Sequence, residues 1–345
     1  MTRPLALLVL LASLVAAACA SANGPSTSAS PLDRPSTSPI AVTINGAPAS
    51  PTPQPTASPR PALGQPADDG ARIVAVTKVD DRTTDLGIDS PAVGPVGVRL
   101  LLPEAFDSQP TTDWPVLYLL HGATGMHSDW TQFTDAEDLT KSTDLLVVMP
   151  DAGEFGFYSD WWNQGKGGRP KWETFHLVEL RQLLERNWHA GDKRIVAGLS
   201  MGGYGAMEYA ERQPGLFLAA ASFSGALDPI EGDIDIGTDD LWGDPVAQAD
   251  NWRAHDPVIN VAALKGTKLY VSYGDGGKGP LDKVAPPSDD LEPWIADQNR
   301  ALVEALAKAR IPVTVDAYGP GSHDWPYWER GLHHSLPSLL KALGE

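Results

Sequence analysis

The sequence predicts an α/β domain built on an open, mostly parallel central sheet that is flanked by helices. Continuous apolar runs indicate strands that are covered on both faces, because half-exposed strands would alternate in polarity. Four such runs are present, at 116–120, 145–149, 195–197 and 269–271. Between them, apolar residues recur at helical spacing, as in Leu177, Leu180, Leu184 and Trp188. Alternation of strand and helix requires right-handed crossovers and favours parallel pairing.

The two ends of the predicted sheet differ from its middle. Residues 72–79 and 96–102 have strand-like composition and no helical pattern between them, so we expect an antiparallel hairpin at the N-terminal edge of the sheet. Residues 312–315 indicate the last strand. A closing helix is predicted over 327–343.

The N-terminus has the pattern of an export signal over residues 1–19. Arg3 precedes an uncharged apolar stretch, residues 5–18, which has the length of a signal-peptide core and is too short to span a bilayer. Two processing alternatives are open, namely cleavage at the small residues 18–20 or lipidation of Cys19, of which we favour lipidation. We expect an exported protein that is extracellular, or anchored by Cys19 to the outer face of the cytoplasmic membrane.

The composition of residues 20–70 predicts a disordered linker rich in proline, serine and threonine. They contain eleven prolines and eight serines but almost no large apolar side chains. Such a segment cannot bury enough apolar surface to offset the entropy of folding. The remaining residues, 71–345, fit one large folded domain.

The net charge of −18 falls entirely on the predicted domain, because the residues before it carry three acidic and three basic side chains. This acidic excess repels nucleic acid and anionic surfaces, so we expect no nucleic-acid partner. No metal-ligand cluster, phosphate loop or dinucleotide fingerprint is found in the sequence. We therefore expect neither a metal nor a cofactor. The oligomeric state is not indicated.

Residues 198–202, Gly-Leu-Ser-Met-Gly, follow the apolar run 195–197 directly. A serine between two glycines at the end of a strand is typical of the strained strand-to-helix turn that presents a nucleophile. Glycines on both sides allow the backbone to fold tightly beneath the serine. The pattern predicts Ser200 as the nucleophile of an acyl-transfer enzyme.

A serine nucleophile needs a general base, and in this kind of sheet the chain order is serine, acid, histidine. His323 follows the last predicted strand in a turn at 321–325, where an imidazole can reach the carboxyl edge of the sheet. His333 and His334 lie within a helical pattern and are expected to be surface or packing residues. We therefore predict His323 as the base for Ser200.

The residues alone leave two candidates for the acid that orients the base. Asp275 follows the strand at 269–271, which is the usual place for the acid in this order of elements. Glu292 lies near the start of the next predicted helix. Each also has a simple structural explanation, since aspartate is common in glycine-rich turns and glutamate complements a helix N-terminus.

Two backbone N–H groups are predicted to hold the oxyanion that forms when the serine attacks. One belongs to Met201, and the other to Ala123 in the loop after the run 116–120. His121, which begins this loop, is expected to pack within the turn rather than act as a second base.

Tryptophans are frequent in the predicted loops. Trp161 and Trp325 lie where loops approach the predicted mouth of the site, so we expect them to bind substrate. The substrate is expected to be a small-molecule or lipid ester.

Further motifs spread over the domain accompany the serine turn. They are residues 157–161, Phe-Tyr-Ser-Asp-Trp; 171–175, Lys-Trp-Glu-Thr-Phe; 241–243, Leu-Trp-Gly; 255–257, His-Asp-Pro; and 321–328, Gly-Ser-His-Asp-Trp-Pro-Tyr-Trp. In this order they resemble the bacterial putative esterase family, which contains the antigen 85 mycolyltransferases and esterase D-like hydrolases. The resemblance implies an α/β-hydrolase fold.

The resemblance also implies roles for individual residues. It makes Ser200 the nucleophile, His323 the base, and the Ala123 and Met201 amides the oxyanion donors. In the antigen 85 branch the acid is a glutamate at the start of the helix before the last strand. Glu292 matches that position by its spacing to His323, and the resemblance therefore favours it over the alternative aspartate.

The chain departs from the mycolyl-transferring members at three positions. Those members use an acidic residue and an arginine to bind sugar where this chain has His121 and Thr124, and they have serine in place of Gly202. We therefore expect a serine esterase or acyltransferase that acts on a carboxylic ester. The alternative is antigen 85-like transfer of a mycolyl or other long acyl chain to trehalose, a glycerolipid or an envelope sugar. A third interpretation is a non-catalytic cell-surface binding protein on the same scaffold.

Overall fold

The computed structural model describes residues 63–232, 239–282 and 291–344. Within these ranges the chain forms one nine-stranded sheet, with the spatial order β1-β2-β3-β5-β4-β6-β7-β8-β9. The predicted signal peptide, Cys19 and most of the predicted linker lie outside the described residues.

Three antiparallel strands form the N-terminal edge of the sheet. They are β1 (Arg72–Lys78), β2 (Thr83–Ser90) and β3 (Gly94–Leu101). The prediction that residues 72–79 and 96–102 pair as a hairpin was wrong. β2 lies between β1 and β3 and pairs with both. β3 then pairs antiparallel with β5, which joins this edge to the rest of the sheet.

The other six strands run parallel to one another, which confirms the predicted mostly parallel sheet. Most of their residues are buried, because helices cover both faces of this part of the sheet. These strands are β4 (Trp114–Leu120), β5 (Leu146–Pro150), β6 (Ala190–Leu199), β7 (Ala219–Phe223), β8 (Lys268–Gly274) and β9 (Val313–Gly319).

Eight α-helical segments are found in the described part of the chain. They are α1 (Asp129–Phe133), α2 (Ala136–Leu139), α3 (Trp172–Thr174), α4 (Arg181–Asn187), α5 (Met201–Arg212), α6 (Ala249–Ala254), α7 (Leu291–Ala309) and α8 (Trp325–Leu343). A π-helical segment, Phe175–Leu180, joins α3 to α4. Short 3₁₀ turns are present at Asn163–Gly165 and Val261–Leu264.

The helices divide the core into two layers, one on each face of the sheet. Val196 of β6 belongs to the layer that contains α5 and α7. Its neighbours Ile195 and Ala197 belong to the layer that contains α8. Because successive side chains of a strand point to opposite faces, burial on both faces requires an unbroken apolar run.

Residues 63–70, which composition assigns to the linker, lie against the domain. The Gln65 amide donates to Asn187 Oδ1 at 2.7 Å, and the Asp68 carboxylate pairs with Arg186. Ala67 is buried. The described chain therefore meets α4 several residues before the predicted boundary at residue 71. In the described ranges, no helix is both long enough and apolar enough to cross a membrane.

Candidate active site

Ser200 lies on a strained turn between β6 and α5. Its backbone has φ 52° and ψ −120°, a conformation that residues other than glycine rarely adopt. The Ser200 amide donates to the carbonyl of Phe223 in the neighbouring strand at 2.9 Å. The Ser200 carbonyl accepts from the Tyr204 amide at 3.0 Å. The adjacent strand and the first turn of α5 thus hold the strained conformation.

The glycines on both sides of Ser200 are required by close backbone approach. A Cβ atom on Gly198 would lie 2.2 Å from the carbonyl oxygen of Gly202, and one on Gly202 would lie 2.4 Å from that of Leu120. A Cβ atom on Gly122 would lie 3.4 Å from the Cβ of Ser200. The loop after β4 therefore runs directly beside the serine.

Glu292 and His323 form a buried pair at the carboxyl ends of the strands. His323 Nδ1 lies 2.7 Å from Glu292 Oε2. The side chain of Glu292 is fully buried and that of His323 is 5% exposed. Glu292 Oε1 also accepts hydrogen bonds from Ser224 Oγ at 2.8 Å and from the Gly274 amide at 2.7 Å. These partners satisfy a carboxylate that would otherwise be costly to bury.

The sheet explains why these groups meet. Ser224 follows β7, Gly274 ends β8, and Glu292 lies in the first turn of α7, where the helix dipole favours a negative charge. Ser224 has φ 47°, which turns its chain away from the strand. The residue before it, Phe223, accepts the hydrogen bond from the Ser200 amide. The serine turn and the acidic group are therefore joined through the end of β7.

Asp275, the alternative acid, lies elsewhere. Its side chain is in an exposed turn, where Oδ1 accepts from the Gly277 amide at 2.8 Å. Of the two candidates, the structure brings only Glu292 to His323. The two other late histidines lie on the surface of α8, where His333 pairs with Asp135 and His334 with Asp316.

His121 anchors the loop after β4. Its Nε2 accepts from the Ala152 amide at 2.9 Å, and its Nδ1 lies 2.7 Å from the Gly122 carbonyl, to which it donates. The Tyr158 hydroxyl donates to the His121 carbonyl at 2.8 Å. Burial lowers the pKa of His121, so the ring is neutral and serves as one donor and one acceptor. As the sequence predicts, His121 packs within the turn.

Ala123 and Met201 present the two amides expected to hold an oxyanion. Both residues are buried, Ala123 in the loop after β4 and Met201 at the N-terminus of α5. Within residues 63–232, 239–282 and 291–344, neither amide donates a hydrogen bond. The first amides of a helix have no partner within the helix and favour negative charge. This arrangement can bind an anionic oxygen.

The two predicted substrate-binding tryptophans have different surroundings. Trp325 packs edge-on against Trp328 with ring centroids 5.2 Å apart, and Trp328 lies edge-on to His323 at 5.0 Å. Trp325 is thus separated from the histidine by one ring. The Trp161 indole donates to the Gly156 carbonyl at 3.2 Å and is partly buried against the core.

Sequence reasoning missed Ser224. It follows a short alanine-rich run, Ala219–Phe223, that was not predicted as a strand. The available signal was a Ser-Gly pair directly after that buried run, at the same edge of the sheet as Ser200. In the described part of the chain, no group of three or more histidine, cysteine or acidic side chains is placed to hold a metal ion.

Comparison with known proteins identifies the family of the chain. Residues 93–339 match the family model described as "Putative esterase". The chain is 33% identical over 252 residues to the diacylglycerol acyltransferase/mycolyltransferase Ag85B of Mycobacterium intracellulare, covering 67% of this chain and 76% of that protein. It is 31% identical over 271 residues to esterase Rv1288 of Mycobacterium tuberculosis, covering 70% of this chain and 56% of that protein.

The fold is shared with a solved hydrolase. An S-formylglutathione hydrolase from Agrobacterium tumefaciens has a TM-score of 0.63 at 19% sequence identity, covering 79% of this chain and 99% of that one. This likeness confirms the α/β-hydrolase fold. The chain belongs to the putative esterase family and is a distant homologue of the antigen 85 mycolyltransferases and of mycobacterial esterases.

Proposed function

We propose that the protein is a serine esterase or acyltransferase that cleaves a carboxylic ester through an acyl-enzyme on Ser200. The observation that carries this proposal is the buried 2.7 Å contact between His323 Nδ1 and Glu292 Oε2. A carboxylate in this position fixes the tautomer and orientation of the ring and stabilises the imidazolium that forms during catalysis. The ring nitrogen on the other side, Nε2, is then the atom that acts as base.

In the first half-reaction, His323 Nε2 takes the proton from Ser200 Oγ as that oxygen attacks the ester carbonyl. The oxyanion of the tetrahedral intermediate accepts hydrogen bonds from the Ala123 and Met201 amides. The intermediate then expels the alcohol, which receives the proton from His323. The acyl group remains bonded to Ser200.

In the second half-reaction, water or an alcohol gives its proton to His323 and attacks the acyl-enzyme. Collapse of the second intermediate breaks the bond to Ser200 Oγ, which regains a proton from His323. The products are a carboxylic acid if water attacks and a new ester if an alcohol attacks. One arrangement of residues therefore supports both hydrolysis and transfer.

Ser200→Ala tests the assignment. We expect the variant to lose turnover of a p-nitrophenyl ester while it keeps its fold, because the amides and the histidine alone cannot form an acyl-enzyme. Ser338→Ala, which removes a partly buried serine hydroxyl that donates to the Ser335 carbonyl within α8, is the matched control and should keep wild-type activity. Retained turnover in Ser200→Ala would contradict the proposal, because another residue would then be the nucleophile. A wild-type protein without ester turnover would favour a binding protein on a hydrolase scaffold.

Transfer to an envelope acceptor is the second candidate function. It is supported by the 33% identity to a protein named as a diacylglycerol acyltransferase and mycolyltransferase. His121 and Thr124, which stand where the mycolyl-transferring members bind sugar, favour a different acceptor from trehalose. Measuring the ratio of acid to new ester with trehalose or diacylglycerol present, against water alone, distinguishes transfer from hydrolysis.

Export and tethering complete the proposal. Support comes from the apolar stretch 5–18, which is followed by Cys19 and the proline-rich linker. A protein lipidated at Cys19 should fractionate with membranes and incorporate a radiolabelled fatty acid. Cys19→Ser should abolish both. Fatty-acid incorporation that persists in Cys19→Ser would contradict lipidation at this residue.

A further inference from the structure

The loop after β8, residues 275–282, lies against the turn that carries His323. The Gly276 amide in this loop donates to the Gly321 carbonyl at 3.0 Å. A Cβ atom on Gly279 would lie 2.2 Å from the carbonyl oxygen of Pro320. The backbones of the loop and the histidine turn are therefore in direct contact.

Asp282 connects the two with a side chain. Its Oδ1 accepts from Ser322 Oγ at 2.7 Å, and its Oδ2 accepts from the Gly279 amide at 2.6 Å. Ser322 is buried and immediately precedes His323. Hydrogen bonds to an ionised carboxylate are shorter and stronger than those between neutral groups. The carboxylate thus fixes both its own loop and the residue next to the histidine.

His323 needs this support because two contacts must hold at once. Its Nδ1 contacts Glu292 Oε2, and its Nε2 must face Ser200 for proton transfer. Only Ser322, His323 and Asp324 lie between Gly321 and the start of α8 at Trp325, so a change in the position of Ser322 is passed directly to His323. A small rotation of Ser322 would carry the imidazole out of line.

We propose that Asp282 is a positioning residue that holds His323 in line with Ser200 and Glu292 through the Ser322 hydroxyl. The inference rests on the proposed function of the Ser200 site and adds to it a residue from a different loop. Asp282 does not touch the reacting atoms. Its effect on catalysis passes through the backbone of the histidine turn.

The experiment compares Asp282→Ala, Ser322→Ala and the double variant with wild type, using p-nitrophenyl acetate. Rates are expressed per active site titrated with a fluorophosphonate, so that a smaller folded fraction does not lower kcat. We expect each single variant to lower kcat about tenfold with KM unchanged, since a misplaced catalytic group slows the chemical step. Lys278→Ala, an exposed position in the same loop, is the control and should match wild type.

The double variant separates the proposed contact from two independent effects. Because both substitutions remove the same hydrogen bond, it should turn over like Asp282→Ala alone. Single-variant kcat values within twofold of wild type would overturn the positioning role, as would losses that multiply in the double variant. If Asp282→Ala does not fold, Ser322→Ala decides the question alone. A wild-type protein that neither turns over ester nor reacts with the fluorophosphonate would instead contradict the proposed function.

Discussion

The Ser224 hydroxyl donates a 2.8 Å hydrogen bond to Glu292 Oε1, while Glu292 Oε2 contacts His323. The strand end after β7 therefore holds the buried carboxylate from the side opposite the imidazole. Ser224 achieves this with a left-handed backbone, φ 47°, that a serine adopts only when its surroundings enforce it. Both oxygens of the acidic group are thus fixed before any substrate binds.

Ser224→Ala is expected to lower kcat about 10- to 100-fold and to leave KM unchanged, because a hydrogen bond to a buried charge contributes roughly 1.5–3 kcal/mol. The Gly274 amide would still hold Glu292 Oε1, so activity should fall without being lost. Steady-state kinetics on a p-nitrophenyl ester checks this. Wild-type kcat in a folded variant would show that Ser224 does not orient the acid.

Glu292→Gln is expected to lower kcat by about 10³ to 10⁴-fold, since an amide at the acid position stabilises the wrong histidine tautomer. Asp275→Asn should change kcat less than twofold, because Asp275 only caps an exposed turn. Parallel kinetics on the two variants checks the assignment. The reverse order of effects would place the acid at Asp275.

These two acids show what the sequence could and could not decide. Each follows a strand or opens a helix at the same edge of the sheet, so position in the chain does not separate them. The family resemblance favoured Glu292, and the folded structure shows the reason, which is that Ser224, Gly274 and His323 converge on its carboxylate. That convergence joins β7, β8 and the turn after β9, which are distant in sequence.

The strands show a similar division. Unbroken apolar runs predicted β4, β5, β6 and β8 because strands buried on both faces have that pattern. The alanine-rich β7, Ala219–Phe223, contains no β-branched residue, and β2 mixes threonine, aspartate and glycine. Neither strand therefore has the composition of a typical strand. Both form because each pairs with a neighbouring strand on either side.

The buried His176 is expected to make stability fall in acid. Its Nδ1 lies 2.6 Å from the Tyr209 hydroxyl and its Nε2 lies 2.9 Å from the Asp151 carbonyl, and burial lowers its pKa to about 3. The unfolded chain binds a proton near pH 6.5 and the folded one does not. The contribution of the neutral His176 ring to the free energy of unfolding is therefore complete above pH 6.5. The free energy of unfolding declines by about 1.4 kcal/mol per pH unit as the pH falls below that value.

Urea unfolding of wild type and His176→Phe between pH 7.5 and pH 5 checks this. The variant should be less stable at pH 7.5, because the Tyr209 hydroxyl loses its partner. Its stability should fall less steeply with pH than that of wild type, since it lacks the titrating ring. Parallel profiles would show that His176 does not contribute to acid sensitivity.

Glu211 is expected to destabilise the protein at neutral and alkaline pH. Burial and the nearby Glu208 raise its pKa to about 10, so it stays protonated when folded and ionises when unfolded. The stability that the protonated Glu211 side chain contributes is therefore lost progressively as the pH rises above 4.5. Glu211→Gln keeps the shape and an acceptor for Asn260 Nδ2, and should raise the free energy of unfolding at pH 8 by about 1–3 kcal/mol. A lower free energy of unfolding in the variant would contradict this.

The most direct test of the central claim is peptide mapping by mass spectrometry after reaction with a fluorophosphonate. The proposed mechanism predicts one adduct per chain, located on Ser200, with none in Ser200→Ala. It also predicts slow labelling of His323→Ala, because the serine then has no base. An unreactive wild-type protein, or an adduct on another residue, would contradict the assignment of Ser200 as the acyl-enzyme nucleophile.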